Sequence, residues 1–365
     1  MVRQEWESEK TARMRHRLLE WYARNRRDLP WRNNPDPYAV WVSEIMLQQT
    51  RVAVVVERYQ AFLARFPSLL SLALAPEEDV LALWSGLGYY RRARMLHKAA
   101  QFVASRHQGT LPVSSEELCT LPGIGAYTAA AIASIAHGEV VAVVDGNVER
   151  VLCRMAGWDA AGRSAGAALK HRIEALAAQL VDPARPGDFN QALMELGATV
   201  CLPRNPQCLV CPLAGDCKTR GEHKTAPRPR MLSREVGHAL SVRTGRQPGH
   251  ANREVLLEQR PAALTVMPGL WELPVLRDSS VPQQDLRMTV RHSIMQVNYY
   301  VRIRTVFEDD VDALTVPAGK RRWVQLSEAA RMPLTGLTRK VLTRARLFST
   351  ASLDDLSPRS GEEGL

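Results

Sequence analysis

The sequence predicts a mainly α-helical part followed by an α+β part, and three observations support this fold class. Apolar residues recur at helical spacing through the first 217 residues, as Met14, Leu18, Trp21 and Tyr22 do near the start. The composition changes to a basic stretch after Cys217. Beyond that stretch, short apolar runs with strand-like composition replace most of the helical pattern.

The helical part divides into segments separated by Gly and Pro. Ser114 and Glu117 have the spacing of a capping box before a short helix. Asp145-Gly-Asn147 opens another helix, whose apolar face includes Val148 and Val151. We expect the remaining helices over residues 11–26, 38–49, 51–65, 69–84, 91–105, 127–136, 169–180 and 189–200.

The second part reads as a smaller α+β domain. We expect strands at 254–258, 297–306 and 322–326 and a helix at 337–347. The predicted organisation is therefore a helical domain (1–217), a basic linker (218–236), an α+β domain (237–347) and a disordered tail (348–365).

Composition limits the class of protein. The chain has 365 residues, 45% of them hydrophobic, which is enough for two cored domains. The net charge of +10 favours an anionic partner such as nucleic acid. No apolar run approaches the roughly 20 residues that span a bilayer, so we expect no membrane insertion. The charged first residues contain no signal core, so we expect a cytoplasmic location.

Four of the six cysteines lie in one segment, with the spacing C-x6-C-x2-C-x5-C between Cys201 and Cys217. Spacing alone leaves three uses open. Two disulfides are disfavoured because cytosolic thiols stay reduced. Structural zinc usually takes two C-x2-C hooks, and this segment has one. The unequal gaps suit a loop around one iron–sulfur cluster. We expect Cys119 and Cys153, on apolar helical faces, to lie in the core.

The segment Leu121-Pro-Gly-Ile-Gly between two short helices has the form of a helix–hairpin–helix element. Gly123 and Gly125 allow a tight turn and a close approach to another surface. The hairpin N–H groups and the next helix N-terminus can bind an anion, which on DNA is a backbone phosphate. The plain alternative is an ordinary turn between two helices, where glycines are also common.

Two further motifs, WVSEIMLQQT at 41–50 and LWSGLGYYRRAR at 83–94, complete the pattern. With residues 121–150 and the cysteine segment, they resemble the helix–hairpin–helix DNA glycosylase superfamily, in particular its adenine DNA glycosylase (MutY) branch. The later stretch PGLWELP, from Pro268, is similar to the Nudix-like domain of that branch. The resemblance covers 10–220 closely and 236–347 more loosely.

The resemblance implies a six-helix barrel with an iron–sulfur cluster domain, followed by an α+β Nudix-like domain. It also implies one 4Fe–4S cluster, and the ligands would be Cys201, Cys208, Cys211 and Cys217. The implied reaction is hydrolysis of the N-glycosidic bond of adenine mispaired with 8-oxoguanine or guanine in double-stranded DNA. The implied role is in base excision repair.

Such a reaction needs two carboxyl groups with separated pKa values. The flipped adenine is a poor leaving group as an anion, so a general acid should protonate it, and a carboxylate should face the cationic sugar. Glu44, mid-helix among apolar residues, is the expected acid, because burial raises a carboxyl pKa. Asp145 at a helix start is the expected carboxylate, and Asn147 would hold it. The plain alternatives are an exposed helix Glu and a simple N-cap.

Tyr127 decides the subclass. Relatives that resemble endonuclease III carry Lys at this position, which forms a Schiff base and cuts the strand. Tyr does not do so readily, so we expect monofunctional base removal with little strand cleavage. A packing aromatic is the alternative.

The resemblance also implies two sets of binding residues. The adenine pocket would contain Arg27, Trp31, Arg32 and Gln191. The residues expected at the DNA are Gln48, Gln49, Thr50, Gly86, Leu87, Tyr89, Leu121, Gly123 and Gly125. Gln49 would act as a wedge, and Tyr89 would insert near the base opposite adenine. As alternatives, the two aromatic residues belong to the core and the arginines are solvated.

The Nudix-like part lacks the acidic box that would bind magnesium, so we expect a lesion-recognition module and not a nucleotide hydrolase. Where relatives carry Phe-Ser-His after an aligned His-Thr, this chain reads His292-Ser293-Ile294-Met295-Gln296. Met295 and Gln296 therefore replace the Ser and His that would touch 8-oxoguanine, unless the alignment is shifted. His292 and Ser293 complete the predicted lesion loop.

Two other function classes compete with adenine removal. An endonuclease III-like enzyme for oxidised pyrimidines is disfavoured by Tyr127 and by the second domain. A DNA-binding protein without catalysis is disfavoured by the presence of both Glu44 and Asp145. We expect a monomer, and the partners of the basic linker stay open.

Overall fold

The computed structural model describes residues 8–159, 166–223, 230–245 and 253–348. Their contacts form two compact units. The first consists of the described parts of Met1–Gln49, Ser68–Leu70 and Lys98–Pro227. The second consists of the described parts of Thr50–Pro67, Ser71–His97 and Arg228–Leu365, so helices from the middle of the helical part group with the C-terminal strands. The predicted domain boundaries stay a prediction.

The structure confirms the predicted fold class, because the regular structure of the described residues before the cysteine segment consists of α-helices and one 3-10 turn. The α-helices of this part are α1 (Ser8–Asn25), α2 (Pro37–Leu47), α3 (Val52–Arg65), α4 (Leu69–Leu74), α5 (Glu77–Leu83), α6 (Arg91–Arg106), α7 (Ser115–Leu118), α8 (Ala126–Ala136), α9 (Gly146–Ala156), α10 (Ala167–Leu180) and α11 (Pro186–Thr199).

The prediction of one continuous helix over residues 69–84 was wrong. Residues 69–84 form the two helices α4 and α5, and not one continuous helix. Pro76 lies between them, where it lacks an N–H for the helical ladder and disfavours the helical conformation of Ala75. Cys119 is also a correction, because it is exposed at the end of the one-turn helix α7, while Cys153 is buried as expected.

Helices α2 and α8 pack against each other in the first unit. Every residue from Tyr38 to Met46 in α2 is buried, which explains why the helix is apolar on all sides. Asp36 starts α2, because its side chain accepts a hydrogen bond from the N–H of Ala39 over 2.8 Å. The small residues of α8 bring the two helix backbones close together.

Helix α9 supplies one wall of the main core of the first unit. Asp145 caps its N-terminus, and Gly157 ends it in the left-handed conformation with φ 68°. The buried face of α9 packs against α1, α10 and α11 around residues such as Leu18, Leu152 and Leu196. Cys201 and Cys211 are partly buried against this same core.

The C-terminal part contains two sheets. A five-stranded sheet has the order β6-β7-β1-β5-β8, with β1 parallel to β7 and the other pairs antiparallel. In the second sheet the central strand β3 pairs with β2, β4 and β9. The strands are β1 (Leu232–Leu240), β2 (Val242–Thr244), β3 (Arg253–Gln259), β4 (Trp271–Glu272), β5 (Val275–Leu276), β6 (Leu286–Ile294), β7 (Val297–Thr305), β8 (Thr315–Val316) and β9 (Arg321–Gln325).

Three helices accompany these strands: α12 (Val311–Leu314), α13 (Leu326–Ala329) and α14 (Gly336–Arg344). Val341 and Leu342 of α14 pack into a core with Val290 and Val301 of strands β6 and β7. The three predicted strands correspond to β3, β7 and β9, and the predicted helix corresponds to α14.

The predicted linker and tail are only partly described. Strand β1 begins at Leu232, inside the stretch 218–236 predicted as a linker. The predicted tail lies outside the described residues except for Phe348, which packs on the core of the second unit. Within the described ranges, no helix combines the length and apolar character needed to cross a bilayer.

Candidate active site and iron–sulfur site

A buried carboxyl group lies at the contact of α2 and α8. Glu44 is 6% exposed, and the Tyr127 hydroxyl donates a hydrogen bond to its Oε2 over 2.7 Å. Burial raises the pKa of Glu44 to about 7, the hydrogen bond from Tyr127 lowers it, and the charge of Asp145 raises it. Burial also raises the pKa of Tyr127 well above its usual value, so the phenol stays a proton donor.

The carboxyl group of Asp145 accepts three hydrogen bonds at the start of α9. Its Oδ1 accepts hydrogen bonds from the N–H groups of Asn147 and Val148 at 2.9 and 2.7 Å, and its Oδ2 accepts one from the Asn147 side chain at 2.9 Å. These three donors fix the orientation of the carboxyl group at the helix N-terminus. Asn147 thus contacts Asp145 through both its backbone N–H and its side-chain amide.

Asn147 is held in turn by Arg150, a residue that sequence reasoning missed. Arg150 Nη2 donates to Asn147 Oδ1 at 2.9 Å and to the carbonyl of Gly197 at 2.8 Å, and its Nε donates to the carbonyl of Cys201 at 2.9 Å. A continuous hydrogen-bonded path therefore joins Asp145 to the backbone of the first cysteine of the metal segment.

The predicted adenine-pocket arginines converge on a second missed residue, Glu195 of α11. Arg27 binds its two carboxylate oxygens through Nε at 2.8 Å and Nη2 at 2.7 Å, and Arg32 Nη2 binds Oε2 at 2.7 Å. The Glu195 side chain is fully buried, yet the two guanidinium groups hold its pKa down at about 2. The sequence offered one signal, since Glu195 follows Gln191 by one helical turn.

The other two members of the predicted pocket are also fixed. Trp31 is buried within a 3-10 turn directly after the loop that carries Arg27. Gln191 accepts a hydrogen bond from the Tyr22 hydroxyl over 3.3 Å. The assignment of these four residues to an adenine pocket stays a prediction, and sequence reasoning missed Glu195, the carboxylate that binds both arginines.

The helix–hairpin–helix tip is exposed and its flanks are buried. Gly123, with φ 77°, requires the left-handed conformation, whereas Gly125 has an extended backbone and starts α8. The side chains of Leu121 and Ile124 are buried beneath the tip. Leu121 therefore supports the predicted DNA contact from inside, while the glycines present their backbone.

Three residues, two predicted to insert into DNA and one in the predicted lesion loop, share an unusual backbone. Gln49, Tyr89 and Met295 are exposed and have φ values of 56°, 47° and 54°. Residues with side chains seldom adopt this left-handed conformation, and such positions concentrate at functional sites. Gln48, beside Gln49, is turned inward, and its amide donates to Thr128 over 3.3 Å.

The predicted turn before α6 is tightly hydrogen-bonded. Thr50 donates to the carbonyl of Leu87 over 3.2 Å, and Arg92 donates to Thr50, Leu87 and Gly88 at 3.1, 3.1 and 3.3 Å. The Leu87 side chain is buried, so its predicted contact with DNA is limited to the backbone. Gly86 is exposed at the tip, with φ 97°.

The predicted lesion loop is the hairpin between β6 and β7. Met295 and Gln296 form its exposed turn, and Ser293 donates to Asn298 across the strands over 2.6 Å. His292 is half-buried below the turn, and burial together with the nearby charge of Lys340 lowers its pKa.

The cysteines of the metal segment lie in irregular backbone after α11 and beside two short 3-10 turns, of which the first begins at Cys208 and ends before Cys211 and the second ends before Cys217. All six cysteines of the chain are free thiols, so no disulfide competes for these four. Burial raises the pKa of Cys211 to about 11, and the neighbouring thiols of Cys201, Cys217 and Cys208 add to the rise. Across the described ranges, no three His, Cys, Asp or Glu side chains have the close spacing that a single metal ion needs.

An iron–sulfur cluster fits these residues. A polynuclear cluster needs a wider cage than one ion, and it carries negative charge to its thiolate ligands. Arg154 is buried against the segment, donating to Cys201 Sγ at 3.3 Å and to the carbonyl of Leu202 at 2.6 Å. Its Nε is buried without a hydrogen-bond partner, as expected of a cation facing an anionic group.

The family comparisons agree with this arrangement. Residues 42–181 match the HhH-GPD superfamily of base excision DNA repair proteins, and residues 201–217 match the iron–sulfur binding domain of endonuclease III. The chain thus carries a 4Fe–4S cluster, and the cysteine segment 201–217 is where it binds. The fold and the site define a helix–hairpin–helix repair protein with an iron–sulfur segment.

The chain is 42% identical to the human adenine DNA glycosylase over 70% of its own length, and 38% identical to the mouse protein over 90%. The chain belongs to the adenine DNA glycosylase family. Its matches span 56% of the human relative and 76% of the mouse relative.

Solved structures place the fold in the same group. A thermostable thymine-DNA glycosylase is 30% identical with a TM-score of 0.53, and the match covers 58% of this chain and 97% of that one. A trapped endonuclease III–DNA covalent intermediate is 21% identical with a TM-score of 0.50, covering 60% of this chain and 98% of that one. The second likeness shows the fold alone.

Proposed function

We propose that this chain hydrolyses the N-glycosidic bond of adenine mispaired with 8-oxoguanine or guanine in double-stranded DNA. The observation that carries the proposal is the pair of carboxyl groups with opposed environments in one unit. Glu44 is buried with a pKa of about 7, while Asp145 accepts three hydrogen bonds at a helix N-terminus. Such a pair separates the roles of acid and anion.

In the proposed reaction, adenine leaves the base stack and reaches the buried carboxyl of Glu44. Protonated Glu44 donates to a nitrogen of the imidazole ring, so adenine departs as a neutral base. The Tyr127 hydroxyl holds Glu44 Oε2, which leaves the other carboxyl oxygen available for the proton. Glu44 is half-protonated near neutral pH, which suits a general acid.

Asp145 would stabilise the sugar as it becomes oxocarbenium-like. Its two N–H donors and the amide of Asn147 would hold its carboxyl group in place during the reaction. A positioned anion of this kind requires no reorganisation when the positive charge develops. Asn147 and Arg150 act by positioning it.

The arginine–Glu195 cluster is proposed to bind adenine. Glu195 orients both Arg27 and Arg32, so each guanidinium keeps its remaining donors in a defined direction. Trp31 and Gln191 would add a stacking face and an amide. The hairpin around Gly123 and the residues Gln49 and Tyr89 would hold the duplex.

Tyr127 supports a monofunctional subclass. Its phenol has a raised pKa and donates a hydrogen bond to Glu44, and it has no amine that could form a Schiff base.

The C-terminal part would recognise the base opposite adenine through the hairpin that contains Met295 and Gln296. When bound, the 4Fe–4S cluster would cross-link the cysteine segment 201–217 and add negative charge there. The cytosolic location also belongs to the proposal, because cluster thiolates stay reduced there.

The proposal is tested by single-turnover assays on duplexes that contain adenine opposite 8-oxoguanine or opposite guanine. Released adenine is measured directly, and the strand products are separated with and without alkali. We expect adenine release, with strand breaks that require alkali. Glu44→Gln should slow release by about 100-fold or more, since general acid catalysis contributes roughly that amount.

Glu20 provides the matched control, because it is exposed on α1 and pairs with Arg24 in the next turn. Glu20→Gln should keep the wild-type rate. Failure of the wild-type protein to release adenine from either duplex would contradict the proposal. Strand breaks without alkali would instead favour an endonuclease III-like reaction.

A further inference from the structure

Two elements predicted to read the base opposite adenine lie in the same compact unit, and this inference rests on the function proposed above. One is the turn Ser85–Tyr89, between α5 and α6. The other is the β6–β7 hairpin. Each ends in an exposed residue with a left-handed backbone: Tyr89 is 49% exposed and Met295 is 74% exposed.

The Ser85–Tyr89 turn is fastened to the segment that leads into α14. Arg339 Nε donates to Ser85 Oγ over 2.8 Å, and Ser85 is fully buried. The Tyr90 hydroxyl donates to the carbonyl of Leu334 over 3.0 Å, also in a buried position. Both ends of the turn are therefore hydrogen-bonded to residues 334–339.

Internal hydrogen bonds make the Ser85–Tyr89 turn rigid. Trp84 Nε1 donates to the carbonyl of Gly88 at 3.1 Å, which closes the turn from within. Arg92 Nη2 reaches the carbonyls of Leu87 and Gly88, and its guanidinium lies over the Tyr89 ring at 5.4 Å. A displacement at Ser85 would therefore be carried to Tyr89.

The hairpin is fastened to the same helix. Lys340 Nζ donates to the carbonyl of Arg291 over 2.9 Å, one position before His292. At the first residue of α14, a Cβ on Gly336 would lie 3.6 Å from Cε1 of the His292 ring, so the helix start and this side chain are in close approach. Helix α14 thus contacts the hairpin at two points.

Arg339 is a half-buried cation whose hydrogen bonds all go to neutral groups. Its partners are the Ser85 hydroxyl and the carbonyls of Ala330 and Met332, at 2.8, 3.1 and 3.4 Å, and these are all neutral. Burial and the nearby charge of Arg58 both lower its pKa, which means that the cation is disfavoured there. Partial desolvation of a cation costs free energy, and the contact of its guanidinium with the Phe348 ring at 5.8 Å offsets only part of that cost. Geometric specificity is therefore one reason to keep Arg339 at this position.

We propose that α14 holds both elements that contact the base opposite adenine, the Ser85–Tyr89 turn and the β6–β7 hairpin. Arg339 is then a positioning residue that helps the protein to distinguish one opposite base from another. Arg339 and Lys340 are neighbours in sequence but point about 100° apart around the helix, so one reaches the turn and the other the hairpin. The spacing between Tyr89 and the hairpin tip is then fixed by one rigid helix. The ligand is the purine opposite adenine in duplex DNA, which the turn and the hairpin contact from two sides.

The experiment compares Arg339→Met, Tyr89→Ala and the double variant with the wild type in the full-length holoprotein. Single-turnover rates are measured against rising enzyme concentration on duplexes with adenine opposite 8-oxoguanine, opposite guanine or opposite an abasic-site analogue. Arg339→Met should raise the half-saturating concentration about tenfold with 8-oxoguanine, more than it lowers the plateau rate. With no base opposite adenine, the change should be small.

The double variant separates positioning from general damage. If Arg339 acts through the turn, adding Arg339→Met to Tyr89→Ala should cause little further loss. Arg344→Met is the matched control, because Arg344 is exposed on the same helix, and it should match the wild type. If Arg339→Met does not fold, Ser85→Ala removes only the hydroxyl that accepts from Arg339. It should also raise the half-saturating concentration more with 8-oxoguanine than with the abasic-site analogue.

Two results would overturn the inference. One is multiplicative losses in the double variant, and the other is an equal loss on the abasic duplex. Failure of the proposed function looks different, since the wild-type protein would then release no adenine from any of the duplexes.

Discussion

Tyr127 and Glu44 are joined by a hydrogen bond of 2.7 Å between a phenol on α8 and a carboxyl on α2. The bond lies where two helices that are buried on most sides meet, so few solvent molecules compete with it. Because the phenol donates, it stabilises the carboxylate and works against the effect of burial on the pKa of Glu44. The pair therefore adjusts the proton affinity of the proposed acid.

The first prediction concerns the pH dependence of adenine release. If protonated Glu44 is the acid, the single-turnover rate constant should fall as pH rises through about 7. Tyr127→Phe removes the donor that stabilises the carboxylate, so the inflection should move to higher pH. The measurement is a pH profile of the rate constant at saturating enzyme. A shift to lower pH in Tyr127→Phe would contradict the assignment.

The second prediction concerns stability. The pKa of Glu44 is raised in the folded state from 4.5 to about 7, so its contribution to folding is full below pH 4.5 and is lost as pH rises through 7. The difference of 2.5 units corresponds to about 3 kcal/mol above neutral pH. Glu44→Gln keeps the shape and cannot ionise. Relative to the wild type, it should therefore gain stability between about pH 5 and about pH 8.

Urea unfolding of both proteins at the two pH values provides that comparison, with iron content checked in each sample. Glu20→Gln, on the exposed face of α1, serves as the control and should show no such gain. An equal difference between Glu44→Gln and the wild type at both pH values would mean that Glu44 is not desolvated as described.

The third prediction tests the close approach of α11 to the catalytic region. A Cβ on Gly197 would lie 2.6 Å from Cβ of Asn147 and 3.1 Å from its backbone. Gly197→Ala should push Asn147 away from Asp145, lowering the rate of adenine release by about tenfold or more through loss of orientation. Gly166→Ala is the matched control, because nothing lies within 4 Å of its added Cβ.

Equal rates for Gly197→Ala and Gly166→Ala would contradict this account. A loss of rate in Gly197→Ala accompanied by unfolding would mean only that the helices need the glycine. Circular dichroism and iron content are therefore measured together with the rate, and the prediction requires both to stay near the wild-type values.

The sequence identified residues whose role is visible from local pattern. The pattern singled out Glu44 as a carboxyl among apolar neighbours, Asp145 as a cap before a helix and the metal segment as four clustered cysteines, and the family resemblance supplied their predicted roles. Cys119 was placed in the core because its neighbours are apolar, but its helix is one turn long and ends at the surface. Local pattern fails where an element is too short to bury a face.

Residues that act through long-range contacts could not be found in this way. Glu195 is separated by 168 residues from Arg27, and Arg339 by 254 residues from Ser85. Neither separation leaves a periodic signal in the chain. The strands β1 and β6 were also missed, because both mix charged and apolar residues and gain their apolar contacts only after the sheet forms.

The last prediction concerns Arg154 and the iron–sulfur site. Arg154 donates to Cys201 Sγ and to two carbonyls of the segment, and it is buried beside thiols that become anionic when they bind iron. Arg154→Met keeps the volume but removes the cation and these donors, so cluster retention should fall. Losing outer-sphere partners of a metal site typically weakens binding by about 10–100-fold. Iron content and cluster absorbance after dialysis against a chelator measure this directly.

Arg172 provides the control for Arg154, because its guanidinium lies 4.3 Å from the Trp158 ring and donates to none of the four cysteines in the described structure. Arg172→Met should keep the wild-type iron content. If Arg154→Met also retained full iron, the cation would be dispensable for the cluster. Its burial would then have to be explained by the carbonyls of Leu202 and Pro203 alone, which it binds at 2.6 and 3.0 Å.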